Sequence, residues 1–128
     1  MNRLSDFFEY KIRVGYSKAE LVNDVNQIIH PSVRETLKFM KSTGNLDIHI
    51  FADLPAKTGL GSSSSFTVGF LNALYALEGK IISKQQLAEE AIYIEQQLIK
   101  ENVGCQDQVH AAFGGLNIIE FSKSQLSV

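Results

Sequence analysis

The sequence predicts an α+β fold in which helices pack on one face of a sheet. Three observations carry that expectation. Short stretches alternate apolar and polar residues as half-buried strands do, clearest at Leu46, Ile48 and Ile50 against Asp47 and His49. A segment from Phe66 to Leu77 is apolar nearly all round, as a helix buried on most sides must be. Capping and stop residues flank several helical stretches. No internal repeat and no low-complexity tract beyond one serine run interrupts the pattern, and 128 residues fit a single domain.

Taken in order, Phe8 to Val14 carries aromatic and β-branched residues in loose alternation and reads as a strand. Ser17-Lys18-Ala19-Glu20 has the form of a capping box and opens a short helix to about Val25. Pro31 suits the first turn of a second helix ending near Lys41. Thr43-Gly44-Asn45 is a turn, and Leu46 to Phe51 a strand. The buried helix over 66–77 stops at Glu78-Gly79. Ser83 caps the next helix, which runs to about Lys100, and Gln106 to Phe113 forms a short helix closed by Gly114-Gly115. Leu116 to Phe121 reads as a last strand.

Composition is ordinarily globular, 45% hydrophobic and 20% charged with two prolines. A formal net charge of −2 gives no electrostatic case for nucleic acid or an anionic membrane. One cysteine, Cys105, excludes an internal disulfide framework and a cysteine-rich zinc site, and is read as a packing residue. Neither a secretory signal nor a membrane-spanning stretch is visible, so a cytoplasmic location is expected. His30, His49 and His110 have no ligand-like spacing and are read as incidental.

The chemistry concentrates in Gly59-Leu60-Gly61-Ser62-Ser63-Ser64-Ser65, between a strand and the buried helix. A glycine turn feeding a helix leaves backbone N–H groups unpaired, and the helix dipole favours an anion there without any cationic side chain. Serine hydroxyls add donors or a magnesium ligand. Other glycine motifs fit poorly. A Walker A loop needs lysine where Ser62 stands, the dinucleotide fingerprint needs glycine where Ser64 stands, and a nucleophile elbow needs glycines flanking one serine. The alternative is a polar turn with a serine cap, but three of the four serines exceed any capping need.

Two carboxylates stand out beside the loop. At about 100° per residue, Leu87, Ala88, Ala91, Ile92, Ile94, Leu98 and Ile99 form one apolar arc, and Glu95 falls within it. A buried carboxylate needs a cation, a hydrogen-bond donor or a raised pKa. A metal at a neighbouring phosphate would meet that need, as would an internal salt bridge. Asp107 follows a glycine turn at the start of a short helix; it is either a helix cap or a group that orients or deprotonates an acceptor hydroxyl.

Together these residues resemble a known family. Pro55-Ala56-Lys57-Thr58-Gly59-Leu60-Gly61-Ser62-Ser63-Ser64 resembles the second motif of the GHMP kinases, the superfamily of galactokinase, homoserine kinase and mevalonate kinase. The run from Asp53 to Gly69, with Glu95-Gln96, Asn102 to Gln108 and Ala112 to Gly115, is similar to the D-glycero-D-manno-heptose 7-phosphate kinases. The resemblance implies a GHMP kinase N-terminal-type domain with ribosomal-protein-like α/β layers and a left-handed β-α-β crossover. It implies that Gly59, Leu60, Gly61, Ser62, Ser63 and Ser64 wrap the triphosphate of ATP, that Ser63 and Glu95 hold Mg2+, and that Asp107 is the catalytic base or orienting group. The implied reaction phosphorylates the anomeric hydroxyl of D-glycero-D-manno-heptose 7-phosphate to the 1,7-bisphosphate, toward nucleotide-heptose for surface glycans. Family members carry a first, sugar-binding motif upstream and a C-terminal domain downstream, so residues 1–128 are expected to be one partial ATP-binding domain. The alternatives are a catalytically incompetent nucleotide-binding fragment or another GHMP small-molecule kinase, galactokinase- or mevalonate kinase-like. A small-molecule sugar phosphate is the expected partner, and a homodimer is compatible with the sequence.

Overall fold

The computed structural model describes residues 1–53, 59–121 and 126–127. Its main sheet has four strands in the order β1-β4-β2-β3, where β1 is Asn2–Arg3, β2 Ile12–Gly15, β3 Ala19–Val22 and β4 Leu46–His49. Strands β2 and β4 are parallel, pairing Ile12 with Leu46 and Val14 with Ile48; the other two pairings are antiparallel. The parallel connection runs through a 3-10 turn at Val25–Gln27 and helix α1, Pro31–Phe39. Helices α2 (Ser62–Leu77), α3 (Lys84–Tyr93) and α4 (Gln106–Phe113) follow, and β5 (Glu120–Phe121) pairs with β6 (Leu126–Ser127) as a separate ribbon.

The α+β expectation holds, with four differences. The helix anticipated over Ser17–Val25 is instead strand β3 of a hairpin. Tyr16 N–H donates to the Lys18 carbonyl at 2.8 Å, and Arg13 faces Leu21 across the ladder. Glu20 does not reach back to Ser17. It points to the core face, where its carboxylate accepts from Ile29 N–H at 2.6 Å and His30 N–H at 3.1 Å. The capping box lies further on, where Gln27 accepts from Asp24 N–H and Asp24 accepts from Asn26 N–H. The strand expected from Phe8 starts only at Ile12, leaving Phe7 and Phe8 exposed, and Asn2–Arg3 adds an edge strand where a polar terminus suggested none. The last strand is only Glu120–Phe121; Leu116 and Ile118 are fully exposed and so lack the burial that alternation implied.

Helix α2 explains its own composition. Phe70 and Leu74 pack with Ile12, Val14, Leu46 and Ile48 of the sheet and with Val33 and Leu37 of α1. Val68 and Leu71 pack on the other side with Leu87, Ala91 and Ile94. A helix with a core on two sides cannot be amphipathic. The Tyr75 hydroxyl, which donates to Glu90 at 2.7 Å, joins α2 to α3, and burial with that contact raises its pKa to about 12.

On the other face of the sheet Arg13 grips Asp47 with two hydrogen bonds, 2.7 and 2.5 Å, and His49 lies 2.9 Å from the same carboxylate. Arg13 holds the Asp47 carboxyl below its usual value near 3.8. A depressed carboxylate stabilises the fold above its unfolded pKa and loses that contribution as pH falls through the folded one. Urea midpoints measured from pH 6 to pH 2 should therefore fall more steeply in the natural chain than in Asp47→Asn. Removing the Glu20 carboxylate by Glu20→Ala leaves two part-buried backbone donors without it and should cost about 1–3 kcal/mol in the same assay.

Candidate active site

The turn before α2 sets the site. Gly61 is the N-cap at φ 69°, and Gly59 is at φ 74°, both in the left-handed region that glycine adopts without strain. No side chain caps α2, because Gly61 has none and Ser62, Ser63 and Ser64 lie inside its first turn. The first intrahelical bond is Ser65 N–H to the Gly61 carbonyl at 2.9 Å, so the N–H groups of Ser62 to Ser64 precede the helical ladder. They face a cleft of about 500 Å³. Gly59, Gly61, Ser62, Ser63 and Ser64 line it with Asp107 and Glu101; Ile50, Ala52, Phe66, Val103 and His30 form its less polar wall. Leu60 is exposed in the same loop. Residues 54–58, the first part of the motif, lie outside the described residues.

Asp107 is the second residue of α4, whose N-cap is Cys105, so it is not the cap of its own helix. Its carboxylate lies against the Gly61 backbone: a β-carbon built on Gly61 would stand 3.2 Å from both Cγ and Oδ2. Glycine at 61 therefore serves the left-handed turn and leaves room for Asp107 as well.

Glu95 is fully buried, as the apolar arc implied. Its position differs from a straight α-helix, because α3 passes at Ile94 into a π-helical segment, Ile94–Ile99, ended by Lys100 at φ 62°. The extra residue per turn rotates the side chains that follow, a recurrent device at functional sites. Glu95 Oε2 accepts from Ser64 Oγ at 2.8 Å and from the Gln108 side-chain amide, while Oε1 has no partner among the described residues. Hydrogen bonds rather than a salt bridge hold it. The hydroxyl on Glu95 is that of Ser64, not Ser63, which lines the cleft.

Those donors leave one buried carboxylate oxygen free behind the cleft, which suits a hard cation. No group of three or more His, Cys, Asp or Glu side chains is placed to hold a metal among the described residues. Magnesium commonly takes one or two carboxylates, with waters and substrate phosphates completing its shell, so Glu95 with a serine hydroxyl fits it better than a protein-only cage would.

Sequence spacing missed two residues. His30 caps α1, its Nδ1 accepting from Val33 N–H at 3.4 Å, and its ring stands between Tyr16 and Phe66 on the cleft wall. Burial lowers its pKa, which keeps the ring neutral with Nε2 as the donor. The signal was His30-Pro31 ahead of a helix, a cap pattern rather than a ligand pattern. Gln108, fully buried, is the other. Its proximity to Asp107 in sequence gave no hint that it faces Glu95.

Residues 23–115 match the family model for the GHMP kinases N terminal domain. This chain belongs to the GHMP kinase family. A D-glycero-alpha-D-manno-heptose 7-phosphate kinase of Campylobacter jejuni is 34% identical over 107 residues, 82% of this chain and 32% of that protein. A homoserine kinase of Caldanaerobacter subterraneus is 32% identical over 117 residues, 88% of this chain and 34% of that protein. The GHMP chain thus spans about a third of the length of these curated relatives. In fold it is similar to a D-glycero-D-manno-heptose 1-phosphate kinase crystal structure from Bacteriodes thetaiotaomicron, TM-score 0.75 at 23% identity over 91% of this chain and 43% of that one. A mevalonate kinase structure gives 0.68 at 19% identity, over 93% and 42%. No helix among the described residues is long and apolar enough to cross a membrane.

Two glycine substitutions separate the roles of the turn. Gly59→Ala meets no atom of the described residues within 4 Å and should cost the left-handed strain, about 1–2 kcal/mol in urea unfolding. Gly61→Ala adds the collision with Asp107 and should cost more, with the Asp107 side chain displaced in a crystal structure of the variant.

Proposed function

We propose that this chain forms the phosphate cradle and acid–base centre of an ATP-dependent sugar-phosphate kinase, acting on the anomeric hydroxyl of a heptose 7-phosphate. The observation that carries the reading is the convergence of three elements on one cleft. The glycine turn with the N-terminus of α2, Glu95 behind Ser64, and Asp107 against Gly61 come from distant parts of the sequence. The 34% identity to the Campylobacter heptose 7-phosphate kinase favours the sugar. The homoserine kinases, at 32% identity and below, favour an amino-acid hydroxyl as the second reading.

In this reading the N–H groups of Ser62, Ser63 and Ser64, at the positive end of α2, take phosphate oxygens of ATP. Ser63 and Glu95 would hold Mg2+, which when bound neutralises phosphate charge. Asp107 orients the acceptor hydroxyl and takes its proton as the acceptor oxygen bonds to the γ-phosphorus. The bond from that phosphorus to the β–γ bridging oxygen breaks, and ADP leaves. The cleft's less polar wall, His30, Ile50 and Phe66, excludes water from the transfer.

Isothermal titration with ATP and Mg2+ should give saturable heat, weakened by Ser63→Ala; no heat at millimolar ATP would sink the reading. In the full-length protein, Asp107→Asn should lower kcat with heptose 7-phosphate by about 10²–10⁴-fold and leave the KM for ATP nearly unchanged. Transfer to homoserine in preference to heptose 7-phosphate would decide for the second reading.

A further inference from the structure

Gln108 is a fully buried amide in the first turn of α4, and its presence there needs a reason. Its Nε2 donates to Glu95 Oε2, while its own Oε1 has no partner among the described residues. A buried polar atom without a partner costs on the order of 1–3 kcal/mol. Leucine or methionine would fill the same volume without that cost, so packing does not account for glutamine here.

Its neighbours supply the reason. Asp107 and Gln108 are consecutive, so about 100° of helix rotation turns them to different faces. Asp107 lies on the cleft side against Gly61, and Gln108 lies on the core side against Glu95. Glu95 in turn accepts from Ser64, three residues after Gly61. The contacts close a ring through Gly61, Ser64, Glu95, Gln108, Asp107 and back to Gly61. The start of α4 has no other polar anchor of this kind, because its N-cap Cys105 makes no side-chain capping bond.

We infer that Gln108 is a positioning residue: it clamps Oε2 of Glu95 from the helix that carries Asp107, leaving Oε1 as the free oxygen for a divalent cation. Both donors sit on Oε2, so the carboxylate cannot rotate without breaking two hydrogen bonds. Fixing a ligand's orientation through an outer hydrogen bond is a general way of tuning metal affinity. The inference rests on the kinase reading above and adds to it a role for a residue outside the cleft lining.

The test is Gln108→Met, which keeps the length of the side chain and removes the amide, both its donor and its acceptor. ATP binding by the full-length protein is titrated calorimetrically in excess EDTA and again in excess Mg2+. The expected result is unchanged affinity in EDTA and a loss of about tenfold or more in the Mg2+-dependent increment. Glutamate at this position, Gln108→Glu, should not restore the increment, because it offers no donor to Oε2 when ionised. Should Gln108→Met fail to fold, Gln108→Asn withdraws the amide from Glu95 by one methylene and should show the same Mg2+-specific loss. Equal weakening with and without Mg2+ in the folded variants, or a full Mg2+ increment in Gln108→Met, overturns the positioning role and leaves the kinase reading standing. A natural chain that binds no ATP with Mg2+ overturns both.

Discussion

The placement of one buried carboxylate governs the architecture around this site. Glu95 is withdrawn from solvent on a helix otherwise given to core packing, and an isolated charge in that position would be prohibitive. Its neighbours therefore have to be polar. Ser64 supplies a hydroxyl from the first turn of α2, and Gln108 supplies an amide from the first turn of α4. Each donor is a residue that an apolar core would exclude, and each belongs to a helix whose N-terminal turn faces the cleft. Satisfying Glu95 thus holds the starts of both helices at the same cleft.

The π-helical segment is part of the same constraint. A regular α-helix through Lys100 would keep Ile94, Leu98 and Ile99 in one stripe and carry Glu95 along with them. The wider turn from Ile94 to Ile99 changes the phase between the apolar residues before it and those after it. Ile94 still packs with Leu71 and Leu87, while Glu95 meets Ser64 and Gln108. The segment ends at Lys100 in the left-handed region, and Gln96 then donates to the Val103 carbonyl at 3.0 Å, holding the link that leads to Asp107. A local deviation from ideal geometry thus positions two chemically important residues twelve apart in sequence.

What could be read from the chain follows from how each feature is encoded. Helix α2 was legible because burial on two sides leaves a composition signal, and α4 because Gly114 at φ 61° marks its end. Glu95 was legible as a charge in an apolar arc. The hairpin β2–β3 was not, since Ser17 to Glu20 satisfies a helix-capping pattern and only the tertiary structure reveals that Glu20 serves the backbone of Ile29 and His30. The choice between Ser63 and Ser64 was equally closed: consecutive serines differ by one step of rotation, and the phase of α2 against Glu95 is a packing property. Gln108 and His30 were missed because each acts through a partner remote in sequence, Glu95 in one case and the cleft wall in the other.

Electrostatics limits how such a cleft can hold a triphosphate. Among the described residues its lining contains Asp107 and Glu101 and neither lysine nor arginine. The N-terminus of α2 contributes the equivalent of about half a positive charge. On the kinase reading that is enough to orient a phosphate through Ser62 to Ser64, and the described lining adds the negative charge of Asp107 beside it. A divalent cation is the natural complement, and the free oxygen of Glu95 is the buried acceptor available to it. The donors on Oε2 then have a purpose beyond satisfying a buried group, because they decide which oxygen remains for the cation. On the kinase reading, the orientation of Glu95 and the placement of Asp107 share one ring of contacts, so the cation site and the acid–base centre are built by the same packing.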